Sequence, residues 1–173
     1  MLTRRLALVG AASALAGCGF HPLYGPVGAV SGSVGGELQA IYVAVMGERD
    51  GQLLRQALQR RFAGTDESVH KKYELTGGLG ISGEAIAIQR DSSSTRTRLI
   101  GTGTYVLREL NQAATVLKTG SVKVIDGVNI NDQQYFASEL EQEVAHRRIA
   151  ESAADQITIQ VAAFLRQRLE KPA

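Results

Sequence analysis

The run Lys72-Tyr73-Glu74-Leu75-Thr76-Gly77-Gly78-Leu79-Gly80-Ile81-Ser82-Gly83-Glu84-Ala85-Ile86-Ala87-Ile88-Gln89 decides the fold. Tyr73, Leu75, Leu79 and Ile81 alternate with small or polar residues, and after Gly83 the alternation resumes with Ile86 and Ile88. A period of two belongs to a strand with one covered face, so 72–89 is expected to be one long strand. Its glycines are expected to mark bulges or bends. Working forward, Asp91-Ser92-Ser93-Ser94 reads as a turn. Thr95 to Leu110 and Thr115 to Ile125 are two more strand-like runs, rich in Thr, Val, Ile and Tyr, joined by a short polar turn at Asn111-Gln112. The middle of the chain therefore predicts an antiparallel meander.

Upstream, Leu38 to Met46 alternates small with branched or aromatic side chains and predicts a first strand. Asp50 is expected to cap a helix with Leu53, Leu54, Ala57, Leu58 and Phe62 on one face, Arg55, Gln59 and Arg60 on the other, and Gly64 as its stop. Downstream of a loop at Asp126 to Asp132, Gln134 to Glu170 predicts one helix about 50 Å long at 1.5 Å per residue. Its apolar stripe runs through Leu140, Val144, Ile149, Ala153, Ile157, Val161, Phe164 or Leu165, and Leu169. The C-terminal half is expected to pack on the sheet, and the first turns to fray or project. The class is α+β in the order β-α-β-β-β-α, a four-stranded, mostly antiparallel sheet with two helices packed on one face. Outward strand positions are Thr, Gly, Lys and Arg, which leaves the other face either solvated or docked.

The N-terminus has a separate logic. Arg4 and Arg5 precede an apolar core from Leu6 to Leu15, too short to span a bilayer, and Ala16-Gly17 precede Cys18, the lone cysteine. Leu15-Ala16-Gly17-Cys18 resembles the bacterial lipobox, which makes 1–17 a lipoprotein signal peptide and Cys18 the acylated first residue of the mature chain. Three acyl chains at about 0.8 kcal/mol per buried methylene give effectively permanent anchoring. Gly19 in place of Asp implies sorting to the outer membrane, with the protein facing the periplasm or lying within a barrel lumen. Residues 18–36, glycine-rich from Gly25, read as a flexible tether, and 37–173 as a single domain.

The chain has 173 residues, 19 Lys+Arg and 17 Asp+Glu. Removal of residues 1–17 takes Arg4 and Arg5 and no acid, leaving 17 side chains of each sign. Trp is absent and only 5% of residues are aromatic, against a carbohydrate-stacking platform, and the absence of net charge disfavours a nucleic-acid partner. His21, His70 and His146 lie far apart without ligand spacing, so neither a metal site nor a cofactor is expected. Gly101-Thr102-Gly103 lacks the third glycine and the following helix of a dinucleotide loop. Ser92, Ser93 and Ser94 have no glycine elbow, so no catalytic set is assembled and no enzyme is expected. Charge is nonetheless segregated: Lys71 to Ile125 carries a net +4 and Asp132 to Lys171 a net −2. Arg96, Arg98, Lys118 and Lys123 are expected to line one strand face, where guanidinium and ammonium groups suit a phosphorylated lipid or glycolipid. The alternative is that these charges only solvate and guard exposed strands.

Leu15-Ala16-Gly17-Cys18-Gly19-Phe20-His21-Pro22-Leu23-Tyr24-Gly25 resembles the opening of the LPS-assembly lipoprotein family, LptE type, in its alphaproteobacterial form. The run Ile130 to Ser138, the helix with Arg147-Arg148 and Ala153-Ala154, and the element order are similar to that family as well. The resemblance implies a non-enzymatic plug and scaffold for a large outer-membrane β-barrel of the LPS translocon, assisting lipopolysaccharide insertion and contacting it through basic residues. Charge placement makes Arg90, Arg96, Arg98, Lys118 and Lys123 the candidates. A different class of function remains open beside it: a periplasmic envelope-maintenance lipoprotein that binds peptidoglycan or lipid without a barrel partner.

Overall fold

The structure, a computed structural model, describes residues 33–63, 69–88, 94–129 and 135–170. Its elements are α1 (Val34–Gln39), β1 (Ile41–Val43), α2 (Arg49–Phe62), β2 (Tyr73–Ile88), β3 (Ser94–Glu109), β4 (Val116–Asn129) and α3 (Tyr135–Glu170). The sheet order is β1-β2-β3-β4. β1 runs parallel to β2, while β2, β3 and β4 form the expected antiparallel meander. One face of this α+β sheet is covered by α2 and α3, as the alternation of apolar residues requires.

The core lies between that face and the helices. Leu75 and Leu79 of β2, Leu99, Tyr105 and Leu107 of β3, and Val122, Val124 and Val128 of β4 point into it. α3 meets them with Ala145, Ile149, Ala153, Ile157, Val161 and Leu165, a buried row at intervals of four residues. The larger members of this set stabilise the fold by about 1.5–3 kcal/mol each through burial. Alanines in the row let α3 approach the sheet closely, and glycines in the sheet complete the fit. A Cβ at Gly101 would collide with Ile149 Cγ2, and one at Gly120 would stand 2.6 Å from Tyr105 Cε1. These glycines are sockets for a helix side chain and a tyrosine ring. The expected link between glycines and bulges does not hold: the register shifts fall at Ala85/Ala87, Ala87/Ile88 and Leu107/Arg108.

α2 and α3 are also joined by charge. Arg61 Nε donates to Asp155 Oδ1 at 2.6 Å, and its terminal nitrogens donate to the carbonyls of Ala57 and Glu151. Arg60 pairs with Glu151 at 3.3 Å, and Arg49 with Glu143 at 2.5 Å. His146 Nδ1 lies 2.8 Å from Asp50 Oδ1. Arg49, Arg60 and Asp155 are exposed and the other partners half-buried, and with one exposed member such pairs contribute about 1 kcal/mol or less.

Four expectations are corrected. The strand expected at Leu38 to Met46 is confined to the three residues of β1, Ile41–Val43, and Leu38 and Gln39 instead close a preceding helix, α1. Ser33 Oγ accepts the Gly36 amide, Glu37 sits in the first turn, and Val34 and Leu38, one turn apart, are both buried. Val34, the first residue of α1, is thus already packed in the core. Asp50 is not a cap: the N-cap is Glu48, held at φ 59° without a side-chain bond, and Asp50 lies in the first turn facing His146. β4 continues to Asn129, so Asp126 and Gly127 belong to a strand rather than a loop. In α3, burial starts at Ala145, while Leu140 is 67% exposed and Val144 48%. The first turns of α3 therefore project past the core, and those two residues do not join the packed stripe. Cys18, Arg90 and the tether up to residue 32 lie outside the described residues.

Candidate binding face of the sheet

Strand pairing fixes which side chains share the face away from the helices, because opposed residues in an antiparallel ladder point the same way. Leu99, Tyr105 and Leu107 point into the core, so the even-numbered positions of β3 point out. The outer face then reads in rows across β2, β3 and β4. Thr76, Val106 and Thr119 form one row and Gly78, Thr104 and Ser121 the next. Then follow Gly80, Thr102 and Lys123; Ser82, Ile100 and Ile125; and Glu84, Arg98 and Gly127. At the far end β1 adds Tyr42 beside Glu74 and Arg108. No described helix covers this face; Lys123, Ile125, Thr102 and Thr104 are all exposed on it. Its middle is mostly hydroxyls and glycines, with Val106, Ile100 and Ile125 as the apolar members, and its charges are Lys123 and the opposed pairs Glu84–Arg98 and Glu74–Arg108 toward the ends. A face of this kind can make many short hydrogen bonds to another polar surface while removing little charge from water.

Of the basic residues predicted from the sequence, the structure brings Arg98 and Lys123 onto this face and places the backbone of Arg96 in register for it, opposite Asn129. Arg98 Nη1 is 3.6 Å from Glu84 Oε2, and both side chains are well exposed, so the guanidinium is only loosely held. Lys123 is exposed opposite Thr102. Thr102 and Arg98 lie four residues apart along β3, so the two cations are separated by about 13 Å at roughly 3.3 Å per residue, too far to share one phosphate. Lys118 does not join them. It is paired with Leu107 and points to the helix side, because an interval of five residues from Lys123 reverses the face. The single-face expectation for all four residues is corrected to that extent.

Sequence reasoning passed over Arg108. It stands on the outer face opposite Glu74, half-buried, and its Nε has no hydrogen-bond partner among the described residues. Even-residue parity with Arg98 was the signal that would have found it. At the β4 end of the sheet, Asp126 Oδ2 accepts from Arg148 Nε at 2.8 Å and Oδ1 from the Gly127 amide at 2.7 Å. Burial pushes the Asp126 carboxyl up, but the Arg148 and Gly127 bonds outweigh it and hold the group below the usual carboxylate range. At the opposite end Tyr73 is pushed up to about 12, by burial first and then by its hydrogen bond to Glu37. Gly101-Thr102-Gly103 sits mid-strand in β3, with no helix behind it to receive a phosphate.

The model of the family "LptE: Lipopolysaccharide-assembly" matches residues 38–161, most of the chain and every element from the end of α1 into the buried part of α3. The chain belongs to the LptE family. It is accordingly a lipopolysaccharide-assembly lipoprotein of the cell envelope. Solved structures agree on the fold. A candidate lipoprotein from Caulobacter crescentus CB15 is 26% identical, with a TM-score of 0.61 over 81% of this chain and 98% of that one. Rare lipoprotein B from Shewanella oneidensis is 12% identical, with a TM-score of 0.52 over 76% and 98%. An uncharacterized lipoprotein B from Nitrosomonas europaea is 17% identical, with a TM-score of 0.53 over 75% and 86%. No curated protein matches the sequence. At those identities the second and third likenesses speak to the LptE fold alone.

Proposed function

We propose that this LptE-family chain is a non-catalytic outer-membrane lipoprotein, anchored through acylated Cys18, that plugs and scaffolds the β-barrel of a lipopolysaccharide translocon and contacts lipopolysaccharide. The observation that carries the reading is the uncovered outer face of β2, β3 and β4. Its Thr, Ser and Gly rows match the hydrated, polar interior of a large barrel far better than they match a lipid surface or an apolar groove. Arg98 and Lys123, separated along that face, supply cations for an anionic glycolipid passing over it, with the Arg96 position extending the line. Arg90 belongs to the same proposal by sequence, and Lys118 would act only from the helix side.

Two measurements test the proposal. Affinity purification of the full chain from its own envelope should recover a barrel protein in near-equal amount; recovery of the lipoprotein alone refutes the scaffold role. Replacing Arg98 and Lys123 by Glu should weaken binding to lipopolysaccharide at low salt, with the difference shrinking as salt rises, while the circular dichroism spectrum stays unchanged. Equal binding by both proteins removes the ligand-contact role and leaves the scaffold role standing.

A further inference from the structure

β2 leaves most of its outer edge without a partner. β1 pairs with it only at Tyr73, Glu74 and Leu75, and beyond them the Ala44 amide donates to the Leu75 carbonyl at 3.0 Å. In a regular antiparallel strand alternate residues turn both main-chain groups to the same side. The Leu75 bond therefore sets the direction for Gly77, Leu79, Ile81 and Gly83, away from β3. β3 keeps the matching parity, because the Glu109 amide donates to the Thr115 carbonyl on the β4 side and the Leu110 amide to the Lys72 carbonyl on the β2 side. Lys72 itself, one residue before the strand, turns its amide to Ala40. Among the described residues no main-chain group meets the four outward positions. They span about 20 Å at roughly 3.3 Å per residue.

Sheets ordinarily guard such an edge with charges, proline or a cover. The opposite edge is guarded: β4 carries Lys118, Lys123 and Asp126. From Thr76 to Ile88, β2 carries one charge, Glu84, and no proline. Gly78 and Gly80 stand on the outer face beside this edge, and a Cβ at either would meet nothing within 4 Å. Val45, one residue past the Ala44 bond, is 70% exposed.

We propose that the β2 edge from Gly77 to Gly83 receives an extended segment of a partner protein as an added strand, one with aromatic or β-branched side chains over the open face. The main chain selects an extended strand, since only another strand offers amides and carbonyls at the matching spacing. The glycine shelf selects its side chains, because bulky groups on a neighbouring strand cover what glycine leaves bare. A second copy of this chain fits poorly. Antiparallel self-pairing centred on Gly80 sets Gly80 against itself and Gly78 against Ser82, so the open face would stay bare, and only Leu79 with Ile81 on the helix side would bring bulky groups together. The inference stands apart from the barrel reading: the edge defines the strand and not the protein that supplies it.

The test is residue-resolved hydrogen exchange on the full chain in its native envelope membranes, compared with the same chain purified in detergent. In membranes the Leu79 and Ile81 amides should exchange at least about tenfold more slowly, while Gly78 and Gly80, already bonded to β3, should not change. Equal rates in the two preparations overturn the proposal. Slowing that appears in the purified chain and grows with its concentration indicates a second copy and also overturns it. Gly80→Lys places a charge where the structure has room, and it should abolish the slowing at Leu79 and Ile81 with an unchanged circular dichroism spectrum. Slowing that survives in Gly80→Lys counts against the proposal, and Gly78→Lys provides the same measurement if the first variant folds poorly.

Discussion

Substitution of Gly101 by Ala should change sign with its background. Gly101 is buried in β3, and its missing side chain leaves the space that Ile149 of α3 occupies, so an added methyl collides with Ile149 Cγ2. Either α3 lifts or Ile149 leaves its rotamer, and such overpacking costs about 1–3 kcal/mol. The gain from replacing a strand-interior glycine, about 0.5–1 kcal/mol, offsets part of that. The net loss in the parent protein should be about 1–2 kcal/mol. Ile149→Ala alone empties a fully buried site and should cost about 2–5 kcal/mol. With Cγ2 gone, the methyl added at position 101 has room and fills part of the cavity. In the Ile149→Ala background Gly101→Ala should therefore stabilise, by about 1 kcal/mol. Urea unfolding of all four proteins, followed by far-ultraviolet circular dichroism at constant m-value, gives the coupling directly. If Gly101→Ala destabilises equally in both backgrounds, Ile149 is not seated on Gly101 and the docking of α3 described above is wrong.

Tyr105→Phe removes the hydroxyl that donates to Gln160 Oε1 at 2.8 Å and should cost about 1 kcal/mol in the same assay; its effect should largely vanish in a Gln160→Ala background. Asp126 titrates below its ordinary value, so its bond to Arg148 contributes stability in full above the unfolded carboxylate value of about 4 and loses it as pH falls through the lower folded value. Asp126→Asn should thus be less stable than the parent at pH 6, the gap closing below about pH 4; a gap that does not depend on pH contradicts the assignment. Arg61→Ala should cost more than Arg60→Ala, by about 1 kcal/mol, since Arg61 also satisfies the carbonyls of Ala57 and Glu151 while Arg60 makes one exposed ion pair. Thermal melts of the two variants decide between them.

The meander was legible because each of its strands alternates over more than ten residues, a pattern no helix shares. α2 and the buried half of α3 were legible for the matching reason at a helical period. α1 was not, since Gly35 and Gly36 sit where a short helix is least favoured, and it forms because Val34 and Leu38 reach the core and Ser33 caps it. The end of β4 was hidden for another reason: Asp126-Gly127 is a strong local turn signal, overridden by the ladder to Leu99 and Arg98. In the candidate site, the cations were visible but their sides were not counted. Lys118 and Lys123 differ by an odd number of residues and cannot share a face. The sockets at Gly101 and Gly120 depend on where a helix and a tyrosine from distant sequence come to rest, which no local pattern contains.

The short parallel seam between β1 and β2 has a mechanical consequence. Tension arriving from the residues before Ser33 meets α1 first, held by Val34 and Leu38 in the core and by the bonds of Lys71 and Lys72. It then reaches β1, which holds the sheet by three residue pairs and a few flanking bonds. The β2–β3–β4 ladder takes none of that load until β1 has let go. A pull on this end should peel the N-terminal edge as a fuse, at forces well below those that open the meander, and leave the sheet and α3 intact to reseat it.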